Sequence, residues 1–308
     1  MSGLNKKFKL GLIGRDIGYS LSPVIHLESA KFLGLDVSYD VFDLASCAGA
    51  DVVTSGSFAL DGFNITKPYK NEIVDFLSDH DLLADKGTPH EAGVNTAQYT
   101  PRGWKLYSTD YVGFVGGGAA YGMDVEAFPD IVFLGHGGAV KAILRGLASS
   151  RKKTLSRSSS NNSVSMAKGA TSISILSRRS EEERLILEKE FSQFFGKDQL
   201  SIRFYEWDRE VLKDLFLRFP RCLCVQASPV PQMGGDLSEL YSDFSNSFEG
   251  AFYDLVYAKS NRFLEAFKDS GLRCIDGTPM LIEQARASQN VWWGKSAPYE
   301  VISKALKL

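Results

Sequence analysis

The apolar run Ile131–Leu134 flows straight into Gly135-His136-Gly137-Gly138-Ala139, and a helical pattern starts at once. A strand, a glycine turn and a helix in immediate succession admit few folds. Gly135 permits a tight turn, Gly137 lets a ligand approach the backbone, and the opening helix presents free N–H groups and the positive end of its dipole. This is the context in which G-x-G-x-x-G binds a dinucleotide pyrophosphate, although Val140 stands where the third glycine would be. A tight strand–helix turn without a ligand gives the same pattern, so the surroundings must decide.

The surroundings alternate. Downstream of the turn, Gly137–Leu147 reads as a helix, Ser172–Leu176 as a strand, Glu181 to about Phe194 as a helix and Leu200–Phe204 as a strand. Helix Glu210–Phe219, strand Leu223–Ala227, strand Ala251–Val256, helix Asn261–Ser270 and strand Arg273–Ile275 continue the series. Such alternation predicts a parallel, doubly wound α/β sheet of Rossmann type. Upstream, Phe8–Ile13, Val37–Phe42 and Phe63–Thr66 read as strands, with Ser22-Pro23 opening a helix that stops near Gly34. Ser22 suits an N-cap and Pro23 the first helical position. A second helix is expected from Pro68 to about Leu77, then a hairpin of Val94–Tyr99 and Trp104–Tyr107, then a helix after Asp110. Helix Pro279–Ser288 and a short helix from Tyr299 end the chain. The expectation is a two-domain α/β protein: 1–112 with 278–308 as an α/β substrate-binding domain, and 113–277 as the Rossmann domain.

At 308 residues the chain suffices for two buried cores. A net charge of −2 favours neither nucleic acid nor an anionic membrane as partner. The 4 histidines are scattered and the 4 cysteines form no C-x-x-C pair, so no metal site is expected. No segment reads as a signal peptide or membrane span, and reduced thiols point to the cytoplasm. Residues 149–170 are rich in Ser, Lys and Arg, and read as a flexible surface insertion. Nothing in the sequence chooses between a monomer and a homodimer.

The end of the second Rossmann strand selects the cofactor. An acidic residue there would bind a free ribose, whereas arginine suits a 2′-phosphate. Here Ser177-Arg178-Arg179-Ser180 follows, which favours NADP over NAD. A solvated helix start, with Glu181–Glu183 close by, is the plainer alternative.

Asn64-Ile65-Thr66-Lys67-Pro68-Tyr69-Lys70 presents an amide, a hydroxyl and an ammonium within one short turn. Reducing a ketone requires a proton at the developing alkoxide, and oxidising the alcohol requires its removal. A lysine in a partly dry setting can do both, and a carboxylate such as Asp110 would orient it. Either residue alone reads equally as a surface charge.

In combination these segments resemble the shikimate dehydrogenase family over nearly the whole chain. Gly11-Leu12-Ile13-Gly14 with Ser20-Leu21-Ser22-Pro23 resembles the opening motif, with Tyr19 where His is usual. Asn64–Lys70 resembles N-[VI]-T-x-P-x-K, Gly93–Thr96 resembles GAVNT, and Ser108-Thr109-Asp110 with Gly113 resembles G-x-N-T-D-x-x-G. Gly135–Ala139 resembles GAGGA apart from His136. Asp254–Tyr257 and Asp276-Gly277 through Met280–Ala285 resemble the two C-terminal blocks.

The resemblance implies reversible reduction of 3-dehydroshikimate to shikimate with NADPH, in the route to aromatic amino acids. It implies Lys70 and Asp110 as the catalytic pair. Ser20 and Ser22 would take the substrate carboxylate, and Thr66, Asn95 and Gln284 its polar groups. Tyr257 would stand between substrate and nicotinamide. The cofactor would be held by Gly135, Gly137, Gly138, Ala139, Ser177, Arg178, Arg179, Met233 and Gly277. The active site would be a cleft between the domains, with a C-terminal helix bearing Gln284 returning to the first. Departures gather on the cofactor side: Ser177 for the Asn of N-R-T, an extra residue within Gln226–Met233, and Ala258–Asn261 in place of Y-x-P-x-x-T. Ser108 also replaces an Asn. An enzyme that accepts quinate and NAD, and a non-catalytic ligand-sensing relative, are the alternatives.

Overall fold

The computed structural model describes residues 6–47, 60–70, 72–85, 93–158, 171–192, 200–228, 248–257 and 262–307. The chain divides into two compact units, Met1–Gly113 with Leu281–Leu308, and Phe114–Met280.

The first unit is built on a five-stranded sheet in the order β2-β1-β3-β4-β5. Its strands are β1 (Lys7–Gly14), β2 (Asp36–Asp43), β3 (Gly62–Ile65), β4 (Thr96–Thr100) and β5 (Gly103–Tyr107). β1 pairs parallel with both β2 and β3, while β3-β4 and β4-β5 are antiparallel. Helices α1 (Ser22–Leu33), α2 (Glu72–Asp79), α8 (Thr278–Trp293) and α9 (Tyr299–Ala305) accompany it, α8 from Leu281 onward. The core on one side gathers Ile13, Phe63, Ile65, Tyr69, Ile73, Leu77 and Trp104. A second cluster joins Leu10, Leu12, Ile17 and Tyr39 to Trp292 of α8.

Two local expectations are corrected here. Ser22 does not cap α1: the helix begins at Ser22, and Ser20 Oγ accepts the Ser22 backbone N–H at 3.2 Å. Pro23 has no N–H to satisfy, which leaves the upstream serine to serve this one. Pro68 does not open a helix either. Thr66 C=O accepts the Tyr69 N–H at 3.0 Å, so 67–70 is a turn and α2 starts at Glu72.

The second unit carries six parallel strands in the order β11-β10-β9-β6-β7-β8. These are β6 (Asp130–Leu134), β7 (Thr171–Ser177), β8 (Leu200–Glu206), β9 (Leu223–Gln226), β10 (Ala251–Asp254) and β11 (Arg273–Ile275). Read from β8, this is the 3-2-1-4-5-6 order of a Rossmann sheet, with its switch point between β6 and β9. The apolar runs of β6 and β9 are buried residue after residue, as strands covered on both faces must be. Helices α3 (Asp110–Ala120, from Phe114 onward), α4 (Gly138–Ser158), α5 (Glu181–Ser192), α6 (Arg209–Arg218) and α7 (Arg262–Asp269) belong with it. Phe252 of β10 stacks on Phe267 of α7 at 4.1 Å between ring centroids, and Phe216, Phe248 and Phe263 fill the same layer.

α4 runs to Ser158, whereas the sequence pattern predicts a stop near Leu147 and a loop from 149. Polar residues that read as loop by composition (Arg151, Lys152, Lys153, Arg157) are good helix formers, and they extend an existing helix without a new nucleus. The remainder of that insertion, 159–170, lies outside the described residues.

Candidate active site

In the first unit, the turn at 67–70 places Lys70 after the end of β3 and Asp110 opens α3. Lys70 Nζ lies 2.5 Å from Asp110 Oδ2, with the lysine side chain 19% exposed and the aspartate 2%. The carboxylate is therefore sealed, while the ammonium still faces outward. The pair uses one of the three ammonium hydrogens.

Asn95 holds the other carboxylate oxygen. Its Nδ2 donates to Asp110 Oδ1 and to Thr109 Oγ1, each at 2.9 Å, and its Oδ1 accepts the Thr109 backbone N–H at 2.9 Å. Both amide hydrogens are spent inside the protein. Asn95, expected to hydrogen-bond the substrate, hydrogen-bonds Asp110.

Behind this pair stands Asn64, whose hub role was missed from sequence. Its Oδ1 accepts Tyr39 Oη at 2.8 Å and His26 Nε2 at 3.1 Å. Its Nδ2 donates to Asn95 C=O at 3.1 Å, and to Thr96 Oγ1 and Ser288 Oγ at 3.2 Å. His26 stacks on Tyr39 at 4.8 Å and meets Trp292 edge-on at 5.1 Å. Burial among these rings pushes its pKa down to about 3, with the Asn64 bond pulling the other way. Nε2 therefore carries the proton that Asn64 Oδ1 accepts. The signal available in sequence was position alone: Asn64 begins the Lys70 segment, and His26 sits one helical turn after Ser22.

Ser20 and Ser22 are half-buried, with their hydroxyl oxygens 3.2 Å apart at the start of α1. Thr66 is half-buried at the end of β3, its backbone N–H bonded to Ile13 C=O at 2.9 Å. Gln284 is half-buried on α8, one turn before Ser288, whose Oγ lies 2.7 Å from Thr96 Oγ1.

In the second unit the glycine turn stands at the switch point. Gly135 has φ +112°, a conformation that side chains resist, and a Cβ there would press on Ser228 N at 3.1 Å and Ala227 C at 3.2 Å. A Cβ on Gly137 would meet no protein atom within 4 Å. Open space faces that backbone, and the first N–H groups of α4, at Gly138 and Ala139, have no intrahelical acceptors. This is the cradle a pyrophosphate needs. At the end of β7, Arg178 lies over the Trp207 ring at 5.1 Å and Arg179 Nη1 bonds Glu183 Oε1 at 3.0 Å. Ser177 is buried, its Oγ turned to His136 Nδ1 at 3.1 Å rather than outward. Both arginines are exposed, and Glu183, four residues after Arg179, is engaged with Arg179 and Ser180. The residues present fit a dinucleotide with a 2′-phosphate.

Tyr257 is half-buried just after β10. Gly277 packs its Cα against the Leu255–Val256 backbone, and its N–H bonds Val256 C=O at 3.3 Å. Met233 lies outside the described residues. Among the described residues, no group of three or more His, Cys, Asp or Glu could hold a metal, and no helix is long and apolar enough to cross a membrane.

The model of the shikimate dehydrogenase substrate-binding domain matches residues 12–88. A shikimate dehydrogenase (NADP(+)) of Crocosphaera subtropica is 30% identical, with 100% of this chain and 98% of that protein covered. The chain belongs to the shikimate dehydrogenase family. The family's enzyme of the same name from Pelodictyon phaeoclathratiforme is also 30% identical, over 96% of this chain and 95% of its own. Among solved structures, the Listeria monocytogenes shikimate 5-dehydrogenase, in complex with shikimate and NAD, has a TM-score of 0.72 at 22% identity over 97% of this chain and 96% of its own. That of Thermus thermophilus, in complex with NADP(H) and shikimate, has a TM-score of 0.68 at 24% identity, covering 97% and 98%. These two share the fold.

Proposed function

We propose that this family member is an NADP-dependent shikimate dehydrogenase, which reduces 3-dehydroshikimate reversibly to shikimate. The observation that carries the reading is the Lys70–Asp110 pair, sealed on the carboxylate side and open on the ammonium side. Full-length identity to enzymes of that name supports it.

The nicotinamide, when bound, supplies or accepts the hydride. Lys70 Nζ gives a proton to the alkoxide oxygen in reduction and takes one from the alcohol in oxidation. Asp110 orients the ammonium and stabilises its charge. Asn95 keeps Asp110 from turning away, because both of its amide hydrogens are engaged at that end. Ser20 and Ser22 offer paired hydroxyls to a carboxylate, and Thr66 and Gln284 offer donors to ring hydroxyls. A ring of small polar groups of this kind rejects an analogue that lacks a hydroxyl, since a buried donor is then unpaired. Gly137, Gly138 and Ala139 would hold the pyrophosphate through backbone N–H groups, and Arg178 and Arg179 the 2′-phosphate.

On this reading 1–112 with 278–308 binds substrate and 113–277 binds NADP(H). Tyr257, Gly277 and Met233 belong to the nicotinamide end, and four free cysteines accord with a cytoplasmic enzyme. The test is an NADP-linked assay on shikimate, run beside quinate and NAD. Turnover should be fastest with shikimate and NADP, and a faster quinate–NAD reaction would replace this reading with the quinate one.

A further inference from the structure

His136 occupies the second position of the glycine turn, and no step of the proposed reaction uses it. Both ring nitrogens are engaged: Nδ1 lies 3.1 Å from Ser177 Oγ, and Nε2 lies 3.4 Å from Arg179 Nε. Arg179 Nε always carries a hydrogen, so Nε2 is the bare, accepting nitrogen and Nδ1 holds the proton. Nδ1–H donates to Ser177 Oγ, and that same oxygen accepts the Arg179 backbone N–H at 3.1 Å. One imidazole thereby fixes Arg179 at its head directly and at its backbone through Ser177.

From the far side Glu183 Oε1 takes Arg179 Nη1, and Glu183 Oε2 is tied to the Ser180 N–H and hydroxyl at 3.1 Å. Nη2 has no partner among the described residues. The guanidinium is thus aimed by two contacts with one edge left over, which is the arrangement a phosphate receptor needs.

His136 also lines a small cavity with Val140, Leu144, Ile175, Leu187 and Phe191. The charged groups around it are Arg179 after β7, Lys141 on α4 and Glu183 on α5. Burial first, then the two cations, hold its pKa below the ordinary imidazole value, with Glu183 opposing. The ring is neutral at neutral pH. A neutral ring leaves Nε2 able to accept from Arg179.

We propose that His136 is a specificity residue of the nucleotide site: its bare Nε2 positions Arg179 for a phosphate on the adenosine ribose. The inference rests on the NADP-dependent reading above. Its consequence is that preference for NADP(H) over NAD(H) depends on a hydrogen-bond acceptor at position 136.

The test is titration calorimetry of NADP+ and NAD+ into the full chain. Wild type is compared with His136→Gln and His136→Ala. Gln keeps an oxygen that can accept from Arg179, so NADP+ affinity should stay within about three-fold. Ala loses the acceptor, and NADP+ affinity should fall on the order of ten-fold with NAD+ affinity unchanged. Equal NADP+ affinity in wild type and the Ala variant, or an equal loss in the Gln and Ala variants, overturns the proposal. So does an equal loss of NAD+ affinity in the Ala variant, which would mark a merely structural role for the turn. Failure of wild type to bind NADP+ at all would instead remove the functional reading beneath it.

Discussion

The two polar centres of this chain are built on opposite plans. Around Asp110 the polar side chains are committed to one another: Asn95 to Asp110 and Thr109, Asn64 to Tyr39, Thr96 and Ser288, and Ser288 to Thr96. Around the glycine turn the proposed recognition falls to bare backbone, and the side chains proposed to assist it, Arg178 and Arg179, stand exposed. An interlocked network resists adjustment, because any member removed strands its partners at a cost of about 1–3 kcal/mol. A backbone cradle with exposed arginines can change its preference by substitution without disturbing the fold. The substrate end should therefore tolerate change poorly and the cofactor end well. The departures from the family pattern, at His136, Ser177 and Gln226–Met233, gather at the tolerant end.

The contrast is open to measurement. Lys70→Ala should lower turnover by at least about 10³-fold while NADPH affinity, by fluorescence titration, changes less than two-fold or so. Turnover close to wild type would remove the lysine from the chemistry.

His26 gives the network an acid limit. Its native pKa of about 3 lies below the 6.5 of the unfolded chain, so unfolding takes up a proton between those values. The stabilisation is present above pH 6.5 and is lost as pH falls toward 3. At pH 5 the loss is about 2 kcal/mol. His26→Phe should fill the space between Tyr39 and Trp292 and abolish this component, leaving Tyr39 on Asn64. Urea melts of both proteins at pH 7 and pH 5 check it, and parallel pH dependence in the two would break the assignment.

Asn95→Leu should cost about 2 kcal/mol in stability and reduce turnover along with it, since Asp110 then loses its second anchor. A stable variant with normal turnover would mean that the network does not set the carboxylate. Gly137→Ala is the mild control for the other plan. The added Cβ meets open space, so stability should move by less than about 0.5 kcal/mol while NADP+ binding weakens several-fold. Unaltered NADP+ binding would put the pyrophosphate elsewhere.

How much of this was legible follows the same division. The Rossmann sheet could be read because its signals are local: buried apolar runs, a glycine turn and helix periods within a few residues of each other. β11 falls on the residues the pattern predicts, and β6 on the apolar run 131–134 with Asp130 added. The Lys70 and Asp110 segments could also be read, through their resemblance to the family's motifs. The hub at Asn64 could not, because its bonds reach His26, 38 residues back, and Ser288, 224 residues ahead. Nor could the inward turn of Ser177, which depends on an imidazole 41 residues away. Long-range pairing between short polar side chains leaves no periodicity to detect.

α8 carries a consequence for the order in which this molecule is made. Trp292 Nε1 donates to Ala97 C=O at 2.9 Å, Gln289 reaches Ser29 at 2.9 Å, and Ser288 closes the Asn64 cluster. The unit begun before the second one is thus completed by residues that leave the ribosome after it. Until Leu281–Leu308 emerges, the indole slot beside β4 and the polar floor under Asp110 stand without their partners. The intervening segment, 114–280, holds its own sheet and can settle first. During synthesis the substrate half waits, exposed to chaperones and proteases, for the cofactor half to be translated through.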